Sequence, residues 1–222
     1  MLRSSLPRCT AQGVFPKAVR MIAKLFVASS NPGKLAEFLA LANPAAPQPE
    51  SLHLELLPNF SSLPVFDETA PTFAENATGK ALHYSQFAPG CVLADDSGLV
   101  VPALGGVPGV RSARYAGENA TSEERNAKLL HEMRNLTGDQ RWAYFVCVLA
   151  VAEKNQAIAI ISARADGEIL LAPRGRAGFG YDPIFYVSEL KKAFAELTSE
   201  EKNSRSHRGK AFRRLTSVLP NL

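Results

Sequence analysis

Two carboxylates and a hydroxyl stand side by side in Ala94-Asp95-Asp96-Ser97-Gly98-Leu99, directly after the apolar run Cys91-Val92-Leu93. Groups of this kind can take a proton from water or hold a hard cation through oxygen ligands. An ionised carboxylate without a partner is too costly to bury, so at least one of the two must face positive charge. With Gly98 allowing a tight turn, the run reads as a strand end that presents Asp96 and Ser97 to a ligand or a metal. The plainer alternative is an Asx-type turn between two strands.

Two further segments can supply the opposite charge, and a third, between them in the chain, offers an aromatic surface. Ser29-Ser30-Asn31-Pro32-Gly33-Lys34 is a loop of turn formers followed by apolar residues at helical spacing, Leu35, Phe38, Leu39 and Ala42. Pro32 suits the first turn of that helix, so free backbone N–H groups and Lys34 together favour an anion there. The spacing is not that of a Walker loop, and an ordinary strand, turn and capped helix would look the same. Phe179-Gly180-Tyr181-Asp182 sets two aromatics and an acid in a glycine-rich loop that can approach a flat ligand closely. Its plainer alternative is a turn whose aromatics anchor it to the core. Finally, Lys202 precedes Ser206-His207-Arg208 at the start of a terminal helix. His207 and Arg208 would repel one another if both were charged and buried, so an acceptor-rich partner explains them better than packing does.

The elements that must position these residues follow from pattern. Residues 24–28 form an apolar strand, and a second short strand is expected around Leu54 to Leu57, within a Pro-rich stretch from Asn43 to Pro64. Thr72-Phe73-Ala74-Glu75, Thr121-Ser122-Glu123-Glu124 and Thr198-Ser199-Glu200-Glu201 are capping boxes that open helices. Asn76 and Lys80 lie one turn apart on the first of these, with Asp67 and Glu68 just outside its start. Residues 99–101 read as a short strand of their own, and 142–152 and 157–165 as a hairpin in the centre of a sheet.

Net charge is +4, but Arg3, Arg8, Lys17 and Arg20 carry all of it, and the chain from Met21 onward is balanced. A nucleic-acid surface would need a basic excess in the folded part, and no apolar run is long enough to span a bilayer. The three cysteines are scattered and lack metal-type spacing, which points to a reducing compartment. Residues 1–20 read as an extension outside the folded part: a tail, a transit peptide, or the product of an upstream start codon with Met21 as the working start. Residues 21–222 read as a single domain.

From about Lys24 to the C-terminus, the segments Ser29 to Lys34, Ala94 to Leu99, Phe179 to Asp182, and Lys202 with His207-Arg208 resemble the inosine/xanthosine triphosphate pyrophosphatase family. The stretches Gly-Gly-Val-Pro-Gly-Val-Arg-Ser-Ala-Arg-Tyr and Ala-Glu-Leu-Thr-Ser-Glu-Glu-Lys-Asn match its pattern too. The resemblance implies an α/β fold with a mixed, elongated central sheet flanked by helices, two lobes with the active site between them, and a cytoplasmic homodimer. It also implies Mg²⁺-dependent hydrolysis of deaminated purine nucleoside triphosphates (ITP, dITP, XTP) to monophosphate and pyrophosphate, keeping aberrant purines out of DNA and RNA. Carried over by residue, Ser29, Ser30, Asn31, Pro32, Gly33 and Lys34 would hold the triphosphate. Asp96 would be the base and a metal ligand, with Asp67 as the second ligand and Glu68 as its alternative. Ser97 would touch the substrate, Phe179, Gly180, Tyr181 and Asp182 would frame base and sugar, and Lys202, His207 and Arg208 would read the base edge. Asp67 is shorter than the Glu usual in the family, Ser29 stands where Thr is common, and Ala70-Pro71 replaces a glycine-containing pair.

Two rival readings predict different behaviour. A pyrophosphatase of the same architecture acting on pyrimidine nucleotides would not prefer inosine triphosphate. A non-catalytic RNA-binding module would use Arg174, Arg176, Arg205 and Arg208, a thin basic set that the balanced charge and the Asp95-Asp96 pair both argue against.

Overall fold

The computed structural model describes residues 24–42 and 52–219. The extension expected at residues 1–20 and the Pro-rich stretch up to residue 51 lie outside the described residues. Seven strands form one mixed sheet in the order β2-β1-β3-β4-β5-β6-β7. They are β1 (Lys24–Val27), β2 (His53–Leu56), β3 (Val92–Val100), β4 (Trp142–Glu153), β5 (Gln156–Ile169), β6 (Phe185–Val187) and β7 (Lys192–Ala193). β1 pairs in parallel with β2 and β3, and every later pairing is antiparallel. The α/β class and the mixed sheet are thus as expected. So is the central hairpin, whose Lys154-Asn155 loop takes φ of 49° and 60°, the left-handed pair that matches strand twist.

Helices α1 (Pro32–Ala42) and α5 (His207–Val218) cover one face of the sheet, where Phe38, Phe212 and Leu215 pack on Leu25, Leu93 and Leu149. The opposite face takes α2 (Phe73–Ser85), whose Ala77, Ala81 and Tyr84 meet Phe26, Val92, Ala94, Val148 and Ala150. Residues of opposite parity on each strand therefore serve opposite faces. A third cluster joins Leu129 and Met133, around helix α3 (Ser122–Glu132), to Phe145, Phe185 and Phe194. The threonine caps form as read: Thr72, Thr121 and Thr198 each accept from the N–H of the glutamate three residues on. Thr198 opens the short helix α4 (Ser199–Arg205). Among the described residues no helix is long and apolar enough to cross a membrane.

The structure corrects one sequence expectation. Asp95, Asp96, Ser97 and Gly98 lie neither at a strand end nor in a turn, and residues 99–100 are no separate strand. β3 runs unbroken, paired with β4 from Val92↔Ala152 to Val100↔Tyr144. Continuous hydrogen bonding along β4 outweighs the local turn preference of Asp-Ser-Gly. What ends here is β1, which pairs with β3 only at Phe26↔Val92 and Val27↔Leu93. Beyond that point the far edge of β3 has no strand beside it until Leu99 N–H donates to Ser112 Oγ at 2.9 Å. Gly98 is needed for proximity: a Cβ there would lie 2.4 Å from Ser112 Oγ and 2.6 Å from Gly109 O.

Candidate active site

Strand alternation sends the two aspartates of β3 to opposite faces. Asp95 points toward α1 and α5, where Lys34 Nζ lies 2.7 Å from Oδ1 and Arg208 3.4 Å from Oδ2. Burial would raise the Asp95 carboxyl, but Lys34 and then Arg208 outweigh it and hold it well below the usual carboxylate range. Ser97, two residues on, shares that face and accepts from Arg208 at 2.8 Å. Its hydroxyl therefore holds the arginine.

Asp96 points toward α2 and accepts from Asn76 Nδ2 at 3.0 Å. Burial, and then the like charge of Glu68, push its pKa up to about 6 against the pull of Lys34 and Asn76. Lys80 Nζ, one turn beyond Asn76, sits 2.6 Å from Glu68 Oε1. It stays charged despite burial because Glu68 faces it. The strap bearing Glu68 is tied by Arg114, which donates to Glu68 O at 2.7 Å, and by Phe66, whose N–H donates to Tyr84 at 3.3 Å.

Asp67 does not share this setting. It is exposed, while Glu68 is the acid whose charge reaches Asp96. Of the two acids offered as partner to Asp96 in a metal pair, Asp67 and its alternative Glu68, it is Glu68 that pairs with Lys80 and acts on Asp96. A second carboxylate acting on buried Asp96 fits the binding of a divalent cation there. Mg²⁺ takes one or two protein carboxylates and completes its shell with water and substrate phosphate. No group of three or more His, Cys, Asp or Glu side chains placed to hold a metal occurs among the described residues.

The loop before α1 is shaped by its own polar groups. Ser29 Oγ accepts from Asn31 N–H at 3.3 Å, and Asn31 Oδ1 accepts from Lys34 N–H at 3.0 Å. Asn31 is thus the helix cap, and since Pro32 has no N–H, Gly33 supplies the remaining donor of the first turn. Ser29 is buried in this turn, whereas Ser30 is exposed.

At the other end of the site Glu37, one turn along α1 from Lys34, joins two cations. Its Oε1 lies 2.7 Å from Lys202 Nζ, and its Oε2 accepts from Arg208 Nη1. Burial works to raise the Glu37 carboxyl, but Arg208 and Lys202 hold it below its ordinary value. Lys202 also contacts Asp182, whose Oδ2 accepts from Phe179 N–H at 2.8 Å. The result is a chain of alternating charge, Asp182, Lys202, Glu37, Arg208, Asp95, Lys34, that runs from the aromatic loop to the helix start.

The Phe179 ring lies against Gly33, where a Cβ would come within 2.4 Å of it, with Lys202 Nζ 4.9 Å from its centroid. Tyr181 is buried, and its hydroxyl donates to Ser112 O at 2.9 Å, which anchors the loop to the core. Gly180 O accepts from Asn126 Nδ2 at 3.1 Å, which ties the loop to α3. His207 stacks on Phe145, with centroids 4.7 Å apart and planes 10° apart. Burial, then Arg208 and Lys202, hold its pKa well below the ordinary histidine value, so it is neutral. The charge conflict read from its neighbour is resolved by deprotonation.

The sequence profile of the Ham1 family matches residues 25–218, nearly the whole described chain. The chain belongs to the Ham1 family. Among Ham1-type relatives it is 48% identical, over 86% of its own length and 92% of the relative's, to the dITP/XTP pyrophosphatase of Geobacillus kaustophilus. To the dITP/XTP pyrophosphatase of Desulforamulus reducens it is 45% identical, covering 90% of this chain and 96% of that one. Its fold is similar to that of a Ham1 protein from Coxiella burnetii, with a TM-score of 0.77 and 42% identity over 90% of this chain and 99% of the other. The Staphylococcus aureus Ham1 protein gives a TM-score of 0.76 at 38% identity, over 88% and 97% of the two chains.

On this Ham1 fold the predicted residues Gly33, Lys34, Asp96, Ser97, Phe179, Asp182, Lys202 and Arg208 are brought together, and Asp67 and Tyr181 are not. Sequence reasoning missed Glu37 and gave Lys80 and Asn76 no role at a site. The Lys34-to-Glu37 spacing was the one available signal, since it puts both on one face of α1.

Proposed function

We propose that this chain hydrolyses deaminated purine nucleoside triphosphates, of the ITP, dITP and XTP type, to the monophosphate and pyrophosphate, with Mg²⁺ as cofactor. The observation that carries this reading is the pairing of Asp96 and Glu68 on one face of β3 with the Lys34–Asp95–Arg208 link on the other. This arrangement supports a reading in which Asp96 would accept a proton, Glu68 and Asp96 would hold the cation, the α1 start would take the phosphates, and Arg208 would donate to the base. The names of the relatives support the same substrates.

The triphosphate would lie against the α1 start, meeting Gly33 N–H, Lys34 and Lys80. Glu68 and Asp96 would hold the cation, which supplies Lewis-acid polarisation and offsets charge on the leaving pyrophosphate. Asp96 accepts the proton of the attacking water at Oδ1, since Oδ2 is engaged by Asn76. A carboxyl raised to about 6 is a stronger base than a free aspartate and is still ionised at neutral pH.

At the base end Arg208 and Lys202 are donors only and can satisfy a 6-oxo group but not the 6-amino group of adenine. Glu37, held between them, is an acceptor suited to the N1–H that a 6-oxopurine carries and adenine lacks. A site built on such hydrogen bonds rejects the mismatched analogue by several orders of magnitude. Phe179 offers a face for stacking. We also propose a homodimer, supported by exposed Ile160 and Trp142 on the central hairpin.

The test is pyrophosphate release from ITP, dITP, XTP, GTP, ATP and UTP, with Mg²⁺ and with chelator. Fast release from the deaminated purines only with Mg²⁺ is expected. No release from ITP with Mg²⁺ present overturns the reading.

A further inference from the structure

Asp95 is the one member of the charge chain that touches both ends of the site. It is 2% exposed, on a central strand, and receives Lys34 from the helix start and Arg208 from the base end. Its remaining contact is the Cys147 thiol, which donates to Oδ2 at 3.7 Å and carries no charge to balance it. Lys80 also acts on it electrostatically but is engaged with Glu68.

The two cations are held differently. Among the ion pairs of the described residues Lys34 pairs with Asp95 alone, at 2.7 Å, whereas Arg208 divides its guanidinium among Asp95, Ser97 and Glu37, and its buried Nε has no hydrogen-bond acceptor among the described residues. With two cations on one carboxylate, either can turn to a ligand while the other keeps that carboxylate paired.

We propose that Asp95 is a positioning residue that divides one buried charge between Lys34 and Arg208, so that the phosphate and base ends of the substrate are sensed together. This rests on the functional reading above. Removing Arg208 leaves Asp95 to Lys34 alone and draws the ammonium back from phosphate. Removing Lys34 draws the guanidinium back from the base. Each single loss therefore includes part of the other, and the double loss is smaller than their product.

The experiment is calorimetric binding of ITP without divalent cation, for the parent, Lys34→Ala, Arg208→Ala and the double variant, repeated with Asp95→Asn in all four. In the parent series the double variant is expected to weaken ITP at least about threefold less than the product of the two single factors. With Asp95→Asn the factors should multiply to within about twofold. Asp95→Ser takes its place if Asp95→Asn does not give a cooperative melt. Factors that multiply in the parent series, or an overlap that survives loss of the Asp95 charge, overturn the proposal. Pyrophosphate release from ITP by the unmodified protein with Mg²⁺ separates the cases. Its absence defeats the functional reading, and its presence with multiplying factors defeats only the role of Asp95.

Discussion

Asn76 Nδ2 donates to Oδ2 of Asp96 at 3.0 Å and so engages one of its two oxygens. One amide thereby orients the carboxylate and still spares an oxygen for water or a cation. Asp96→Asn keeps the volume and removes the proton acceptor. Steady-state pyrophosphate release from ITP should fall by at least about 10³-fold, with ITP binding changed by less than about fivefold. Retained turnover would show that another group accepts the proton.

The same substitution has a stability consequence with a defined sign. Asp96 binds its proton more tightly in the folded state than the ordinary value of 3.8, with a pKa of about 6. The fold is therefore unpenalised below the ordinary value, and loses stability as pH rises through 6. With chelator at pH 7.5, Asp96→Asn should be more stable by about 3 kcal/mol, roughly 6–12 °C in melting temperature, and the gain should vanish near pH 4. Melts at both pH values check this.

Glu68 and Asp67 can be told apart by metal dependence. Glu68→Gln is expected to raise the Mg²⁺ concentration needed for half-maximal turnover by about tenfold or more, and Asp67→Asn to leave it within about twofold. Titrating Mg²⁺ against initial rate decides it, and the reverse ranking would restore Asp67 as the ligand.

Glu37→Gln leaves Lys202 and Arg208 without their shared anion and removes an acceptor of N1–H. The ratio of kcat/KM for ITP over ATP should fall by about 10–100-fold, mostly through ITP. An unchanged ratio would mean that the base is selected elsewhere.

Gly33→Ala puts a methyl where the Phe179 ring now lies, 2.4 Å from its nearest carbon. The ring must move, so KM for ITP should rise about tenfold, while the melting temperature stays within about 3 °C because alanine also favours the helix. An unchanged KM would show that Phe179 is not stacked against the base.

Much of this architecture was legible in the chain because it rests on local rules. The strand periods, the threonine caps and the central hairpin all follow from short-range pattern. Lys34, Lys202 and Arg208, expected at one site, lie on one chain of ion pairs. What escaped depended on long-range pairing. Asp-Asp-Ser-Gly looks like a turn unless β4 is known to pair along its whole length, and the bond from the Tyr181 hydroxyl to Ser112 O spans 69 residues. The tie from Arg114 to the carbonyl of Glu68 spans 46 residues and is equally invisible to local pattern. Glu37 had no distinguishing neighbour except its helical spacing from Lys34.

The early end of β1 has a wider effect. Beyond Val27, Asp96 rides on a strand that stays paired with β4, whereas Glu37 and Lys202 stand on helices, Arg208 at a helix start and Phe179 in a glycine loop. On the function proposed above, proton transfer and base selection are then mounted on separate parts of the scaffold. Exchanges at Glu37, Phe179 or Lys202 are expected to retune which nucleotide is accepted while Asp96 keeps its alignment.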